Sequence, residues 1–353
     1  MIYLIMKSTL LLLIFKFKYA LKSPKIFRRS LTKFSTSSLE PNIGTSDLLL
    51  SGLNADQDIS VKIVTCRELI QESIIKQDLS TQAAIALGEL MTCTLLMGAG
   101  LKDEETLQIN LVGDRGLGNV MAITDGDLKA RGTIKNRNFQ ATSNGVLKMR
   151  DMLGEGQIQV VRSHPTWKFP TNGIVALRDI KIPLNLALYL AESEQRTSVL
   201  LTDVHVEGNL CRHSLGVLLE RLPGANEFNI EASIRNLEAV ERKGLRSYLT
   251  ITPDDKWING EFRSFEPVLG KILDDVLGEM GEDFRVAKSP KFRCSCGVDR
   301  VWRMLAMLPK DDIKFIIDNQ ETVEVRTIAF KFICSHYIIP ILIPYNLIII
   351  YIL

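Results

Sequence analysis

The amino-acid sequence predicts an α+β fold, because its strand-like and helix-like segments are grouped along the chain instead of alternating regularly. A second observation is the segment 80–102, which is apolar nearly all round and therefore predicts a buried helix that begins at Ser80. A third is the glycine-rich segment 113–118, which separates two apolar runs and predicts a hairpin turn. The chain has 353 residues, of which 46% are hydrophobic and 24% charged, so it can form about two domains.

The first half of the globular region carries most of the predicted strands. Alternating or β-branched runs predict strands at 59–64, 107–112, 120–124, 158–161, 174–177 and 199–206. Helical spacing of apolar residues predicts further helices at 66–75, 184–194 and 215–222. The turn at 113–118 precedes a strand and not a helix, so it lacks the helix N-terminus of a phosphate-binding loop.

The second half is more helical and more highly charged. Amphipathic helices are predicted at 234–245 and 266–280, and we expect them to form a connector laid on the first domain. Further along, the patterns predict short helices at 301–308 and 311–319 and a strand at 321–325. Residues 327–353 differ from all of these, because they contain ten Ile among 27 residues and no acidic residue.

The net charge of +2 is unevenly distributed. Residues 1–39 contain six Lys, two Arg and no acidic residue, which leaves 35 basic and 41 acidic residues elsewhere, a net charge of −6. This acid-free leader, rich in Ser and Thr, predicts a transit peptide and a location in the mitochondrial matrix or plastid stroma, with a secretory signal as the alternative. No basic stripe with interleaved aromatic residues follows, so no nucleic-acid partner is predicted.

The apolar run 337–353 raises the question of a membrane anchor. It is 17 residues long, at the lower limit for crossing a bilayer, and it contains Pro340, Pro344 and Asn346. We therefore predict no membrane partner.

Two thiols one residue apart, Cys294 and Cys296, are the strongest chemical signal in the chain. Thiolates at this spacing can both reach one Zn²⁺, which takes four N or S ligands, so the pair supplies half of a structural site. The neighbouring Lys291, Arg293 and Arg300 favour the thiolate form that metal binding and oxidation both require. In a reducing organelle matrix, metal or redox chemistry is expected here in preference to a static disulfide.

The other thiols are predicted to be structural. Cys66 and Cys93 lie inside helical patterns and should pack as small buried hydrophobic residues. Cys211 and His213 could ligate a metal, but no second pair of ligands lies nearby in the sequence. The chain contains no HExxH helix, catalytic-triad spacing or paired-carboxylate motif, so we predict that it is not an enzyme.

Short segments spread over residues 58–326 carry a resemblance to a known family. The most specific are Tyr189 to Gln195 and Phe292 to Cys296. The others occur in the same order as in the family and are Ala86 to Leu90, Gly100 to Lys102, Leu107 to Gly118, Ala130 to Gly132, Leu153 to Gly156, Gly173 to Leu177 and Leu222 to Ala225. In these segments the chain resembles the 33 kDa chaperonin family of redox-regulated heat-shock chaperones.

The resemblance implies an organisation and a mechanism. After a leader over 1–53, it implies an N-terminal sheet-and-helix chaperone domain over 54–226, a helical linker over 227–290 and a small C-terminal zinc-type domain over 291–326. In the family, a CxC pair and a later CxxC pair bind one Zn²⁺ as thiolates. Oxidants form disulfides and release the metal, whereupon the zinc domain and linker unfold and exposed apolar surface captures unfolded proteins without ATP.

The second half of the implied zinc site is missing from its expected place. By family spacing, the CxxC thiols fall at positions that hold Thr327 and Phe330. Cys334 and His336 follow closely and could replace the missing ligands. Because resemblance and composition change at the same point, we predict that 327–353 is not the natural C-terminus and that the zinc-type domain of this chain is incomplete.

The predicted function is an ATP-independent, redox-regulated holdase that binds unfolded proteins under oxidative stress. Its expected cofactor is Zn²⁺, its redox switch is Cys294 with Cys296, and dimerisation on oxidation is a further expectation. Two alternatives stay open. The CxC pair could belong to a thiol-disulfide oxidoreductase, although no thioredoxin-like βαβ pattern surrounds it. The first domain could also be a constitutive holdase whose switch is inactive.

Overall fold

A computed structural model of the chain describes residues 47–140, 152–178, 181–250 and 266–294, together with short pieces between 307 and 350. Within these residues the chain forms five α-helices, which are α1 (Arg67–Gln77), α2 (Thr81–Gly98), α3 (Ile182–Ser193), α4 (Glu227–Lys243) and α5 (Glu266–Leu277). It also forms thirteen strands, which are β1 (Leu49–Asn54), β2 (Ile59–Thr65), β3 (Thr106–Gly113), β4 (Val120–Asp125), β5 (Lys129–Ile134), β6 (Gly156–Ser163), β7 (Thr171–Ala176), β8 (Ser198–Glu207), β9 (Leu210–Arg221), β10 (Glu282–Lys288), β11 (Lys291–Phe292), β12 (Ile339–Ile343) and β13 (Asn346–Ile350).

The strands form two large sheets and one separate hairpin. The first sheet has the order β10-β1-β2-β9-β8 and is antiparallel throughout. The second sheet has the order β11-β5-β4-β3-β6-β7 and is antiparallel except for the β11–β5 pair. Strands β12 and β13 pair with each other. The protein is therefore a mixed α+β fold, as the sequence predicts, and the predicted hairpin turn at 113–118 joins β3 to β4.

Helix α2 lies between the two large sheets and contacts β2, β8 and β9 of the first and β3, β4 and β5 of the second. Fourteen of its 18 residues are buried, which confirms the predicted buried helix. Ser80 is its N-cap and accepts a hydrogen bond from the backbone N–H of Ala83, at 3.4 Å. At the other end, a Cβ on Gly98 would lie only 2.3 Å from the side chain of Thr124, so glycine permits the close packing of α2 on β4.

The predicted helix at 215–222 is wrong, because this segment belongs to β9, which pairs with β2 and β8. Residues 213–220 are all buried. Gly216 faces Thr92 of α2 on one side of the sheet, and the 3-10 helix Leu245–Thr250 contacts β9 as well. A strand that is buried on both faces carries no polar alternation, so its apolar run cannot be distinguished from a short helix by periodicity.

Helices α4 and α5 pack against each other, and α5 lies on β1 and β2 of the first sheet. The buried side of α5 consists of the apolar stripe seen in the sequence: Val268, Leu269, Ile272, Leu273, Val276 and Leu277. Strand β10 follows within the predicted helical linker 227–290 and pairs with β1, which begins within the predicted leader 1–53. Both segments thus contribute a strand to the first sheet, and this long-range pairing left no local signal in the sequence.

The predicted elements between 301 and 325 lie almost wholly outside the described residues. Within the part of the chain that is described, no helix is both long enough and apolar enough to cross a bilayer.

Helix α1 is capped by a buried carboxyl group from outside the helix. The side chain of Asp47 accepts hydrogen bonds from the backbone N–H groups of Glu68, at 3.2 Å, and Leu69, at 2.9 Å. Asp47 is only 1% exposed, and its burial raises its pKa to about 6 in spite of these two bonds. Folding therefore favours the protonated form of this group.

We expect Asp47→Asn to change the pH dependence of folding stability. The contribution of Asp47 is greatest below pH 3.8, its ordinary pKa, and is lost as the pH rises through about 6. Between pH 4 and pH 7 the wild-type protein should lose about 2 kcal/mol of unfolding free energy relative to Asp47→Asn. Urea unfolding at both pH values measures the difference, with Asp103→Asn at an exposed site as the control. Equal pH slopes for wild type and Asp47→Asn would contradict this assignment.

Candidate functional site

Cys294 lies directly after the short strand β11, at the edge of the second sheet. The backbone N–H of Lys291 donates to the carbonyl of Leu128, at 3.1 Å, and that of Arg293 donates to the carbonyl of Ala130, at 3.0 Å. Cys294 itself is partly exposed. The chain that leads into the CxC pair is thus fixed to strand β5 by parallel pairing.

Phe292 is the side chain that anchors this segment. Its ring is partly buried against the main hydrophobic core, and the Nζ of Lys76 in α1 lies 5.6 Å from the ring centroid. Pro290 is buried beside it, and the Nζ of Lys288 donates to the carbonyl of Gly126 at 3.4 Å. Residues 288–293 are therefore attached to the β4–β5 hairpin and to α1. The sequence analysis took Phe292 only as part of the family motif and assigned it no role in packing.

Of the four predicted metal ligands, the structure describes Cys294. Cys296, Cys334 and His336 lie outside the described residues. Among the described side chains, no group of three or more His, Cys, Asp or Glu residues is placed to hold a metal ion. The two thiols of the CxC pair suit Zn²⁺ chemically, and the remaining ligands would have to come from residues beyond those described.

The three thiols of the N-terminal half are buried and unreactive. Cys66, Cys93 and Cys211 are each 0% exposed, which confirms the prediction for Cys66 and Cys93. Burial raises the pKa of Cys66 and of Cys211 to about 12 and that of Cys93 well above its ordinary value. Because the thiolate is the reactive form, these groups are poor targets for oxidants.

The Cys211 and His213 pair is also structural. The Sγ of Cys211 lies 3.7 Å from the backbone carbonyl of His213, while the imidazole Nε2 of His213 lies 3.1 Å from the carboxylate of Asp203. This hydrogen bond lowers the pKa of Asp203. The ring of His213 stacks on His205 with centroids 5.5 Å apart. The thiol and the imidazole thus have separate partners.

A buried ion network, which the sequence analysis missed, connects the two sheets. Glu194 accepts two hydrogen bonds from Arg162 of β6, each 2.9 Å long, and a third from Arg196 at 2.9 Å. Arg196 also pairs with Glu220 of β9, which in turn pairs with Lys62 of β2. The segment Tyr189 to Gln195, the most specific part of the family resemblance, leads directly into this network. Its specificity is therefore explained by its structural role.

The model of the Hsp33 protein family matches residues 47–328 of the chain. The chain belongs to this family. The 33 kDa chaperonin of Lactobacillus delbrueckii subsp. bulgaricus is 26% identical over 285 residues, which cover 79% of this chain and 90% of the relative. The 33 kDa chaperonin of Picosynechococcus sp. is 28% identical over 284 residues, which cover 78% of this chain and 88% of the relative.

The fold agrees with a crystal structure from the same family. The 33 kDa chaperonin of Thermotoga maritima superposes with a TM-score of 0.68 at 20% identity, over 81% of this chain and 93% of that one. Membership in the Hsp33 family confirms the predicted resemblance and supports a chaperone function. The family match ends at residue 328, two residues beyond the point at which the resemblance was predicted to stop.

Proposed function

We propose that the protein is an ATP-independent holdase that binds unfolded proteins and is activated by oxidation of Cys294 and Cys296. Family membership supports the chaperone part of this proposal. The observation that carries the switch is the attachment of β11, which joins the residue next to Cys294 to the edge of the second sheet. A change in the thiols is therefore transmitted directly to the folded domain.

The chemistry of the switch follows from the two thiols. One hydrogen peroxide oxidises two thiols to one disulfide and is itself reduced to two molecules of water. Lys291 and Arg293 precede the pair and favour the thiolate that begins this reaction. Cys294 and Cys296 would hold Zn²⁺, with Cys334 and His336 as the proposed further ligands. Bound zinc supplies folding free energy to a small domain, on the order of 10 kcal/mol, so loss of the thiolates removes that support.

The partners we propose are unfolded segments of other proteins. The acid-free leader 1–39 supports import into a mitochondrion or plastid as part of the same proposal. Dimerisation on oxidation is included as a further expectation.

Zinc content and aggregation suppression, measured on the full chain before and after peroxide, test the proposal. We expect the reduced protein to contain zinc, and we expect peroxide to release the metal and increase the suppression of client aggregation without ATP. Dithiothreitol should reverse both changes. Zinc that stays bound, or suppression that does not increase, would contradict the redox switch.

A constitutive holdase is the second candidate, and Thr327 and Phe330 at the expected thiol positions favour it. It predicts equal suppression before and after peroxide and in Cys294→Ser. Turnover of a dithiol substrate by the purified protein would instead favour the thiol-disulfide oxidoreductase.

A further inference from the structure

We propose that the edge of β5 is a binding site for an extended client segment that carries an aromatic residue flanked by basic residues. In the reduced protein, residues 288–293 of the chain itself occupy this site, which we call the β5 edge site. The inference rests on the proposed function and adds to it the place where a client binds and the kind of segment that fits.

The backbone of the β5 edge site offers hydrogen-bond acceptors to an extended chain. The carbonyls of Leu128 and Ala130 point to the edge of the sheet and accept N–H groups from the β11 segment. The next carbonyl on this side, that of Gly132, accepts the side-chain amide of Gln77 at 2.9 Å, which closes the edge at that end. When β11 leaves, two edge carbonyls lose their partners, and such edges readily pair with another extended chain.

The side chains at the site determine which segment fits. The ring of Phe292 lies against the core beside α1, so the position opposite Ala130 accepts a large aromatic group. The turn before β5 carries Asp127, whose pKa is lowered by a hydrogen bond from Lys129 and further by the charges of Lys288 and Arg293. The site thus has an apolar pocket with a carboxylate next to it, which suits an aromatic residue between basic ones.

The attachment of β11 is weak enough to be released by a local change. Strand β11 has two residues, and two backbone hydrogen bonds and one partly buried ring hold it. So short a strand persists only while the neighbouring segment is ordered. Cys294 follows it directly, and oxidation of the CxC pair acts on that neighbouring segment. The β5 edge site is therefore vacated under the conditions in which clients accumulate.

The variant Phe292→Ala tests the proposal in the full, reduced chain. It should suppress aggregation of a heat-unfolding test enzyme at least about threefold better than the reduced wild type, because the internal segment occupies the site less often. Phe169→Ala, a matched change at a 72% exposed ring, should have no effect. Lys291→Pro, which removes the N–H donated to Leu128, should give the same gain as Phe292→Ala. Both variants should keep the zinc content of the wild type.

A fluorescent peptide with the sequence of residues 287–293, Ala-Lys-Ser-Pro-Lys-Phe-Arg, tests the site directly. It should bind the Phe292→Ala protein and the peroxide-treated wild type. Binding to the reduced wild type, and binding of the matched peptide with Ala in place of Phe, should be at least about tenfold weaker.

Two results would overturn the β5 edge site. One is a wild type that responds to peroxide while Phe292→Ala and Lys291→Pro stay unchanged, and the other is a peptide that binds none of the proteins. If the two variants gain activity while peroxide does not activate the wild type, the redox proposal fails and the β5 edge site stands.

Discussion

Replacing Cys294 by serine is expected to abolish the gain in aggregation suppression that peroxide produces in the wild type. A serine hydroxyl cannot form a disulfide and is a poor ligand for Zn²⁺. Loss of groups that merely orient a metal ligand already weakens binding by roughly 10- to 100-fold, so loss of a ligand should cost at least about 100-fold. Zinc analysis and light scattering of a heat-unfolding client, each with and without peroxide, measure both effects.

The control for this experiment is the same substitution at a buried thiol. Cys211→Ser keeps a hydrogen-bond donor near the carbonyl of His213, and Cys211 is 0% exposed. This variant should respond to peroxide as the wild type does. A peroxide response that survives in Cys294→Ser, or disappears in Cys211→Ser, would show that the switch does not depend on Cys294.

Leu90→Ala should lower the free energy of unfolding by about 3 to 4 kcal/mol, the largest stability effect that we expect from a single change. Leu90 is 0% exposed in α2, between the two large sheets. Truncation leaves a cavity that neither sheet can fill without losing contact with the helix. Urea unfolding followed by circular dichroism measures the change.

Ile75→Ala is the matched control for the core substitution. Ile75 lies on α1 and is 70% exposed, so its truncation should change the free energy of unfolding by less than about 0.5 kcal/mol. Similar losses in Leu90→Ala and Ile75→Ala would contradict the position of α2 at the centre of the core.

The sequence predicted those elements whose local pattern matches their surroundings. Helix α2 is apolar all round because sheets cover it on both sides, and α5 carries one apolar stripe because it lies on one sheet. Strand β9 was misread because burial on both faces removes the alternation of a strand. Strand β5 was missed: only alternate residues are buried, and Gly132 sits in its middle. Strands β1 and β10 depend on each other across the length of the chain.

The candidate site divides in the same way. The chemistry of Cys294 and Cys296 is a local property, and two thiols one residue apart indicate it without any structure. The place of Cys294 at the edge of the second sheet is a non-local property, because β11 pairs with a strand more than 150 residues earlier in the chain. A two-residue strand has no periodicity from which that pairing could be predicted.

The connectivity of the second sheet has a consequence for the order in which the protein folds. Strand pairs β3–β4, β4–β5 and β6–β7 are joined by short connections, whereas β11 is a parallel strand that reaches β5 from the far end of α5 and β10. Contacts between distant parts of a chain form late, because closing a long loop costs more entropy than closing a hairpin. We therefore expect β11 to dock after the rest of the sheet is complete and to detach without unfolding it. Recovery from oxidation would then need one short strand to redock, which is a fast step compared with refolding a domain.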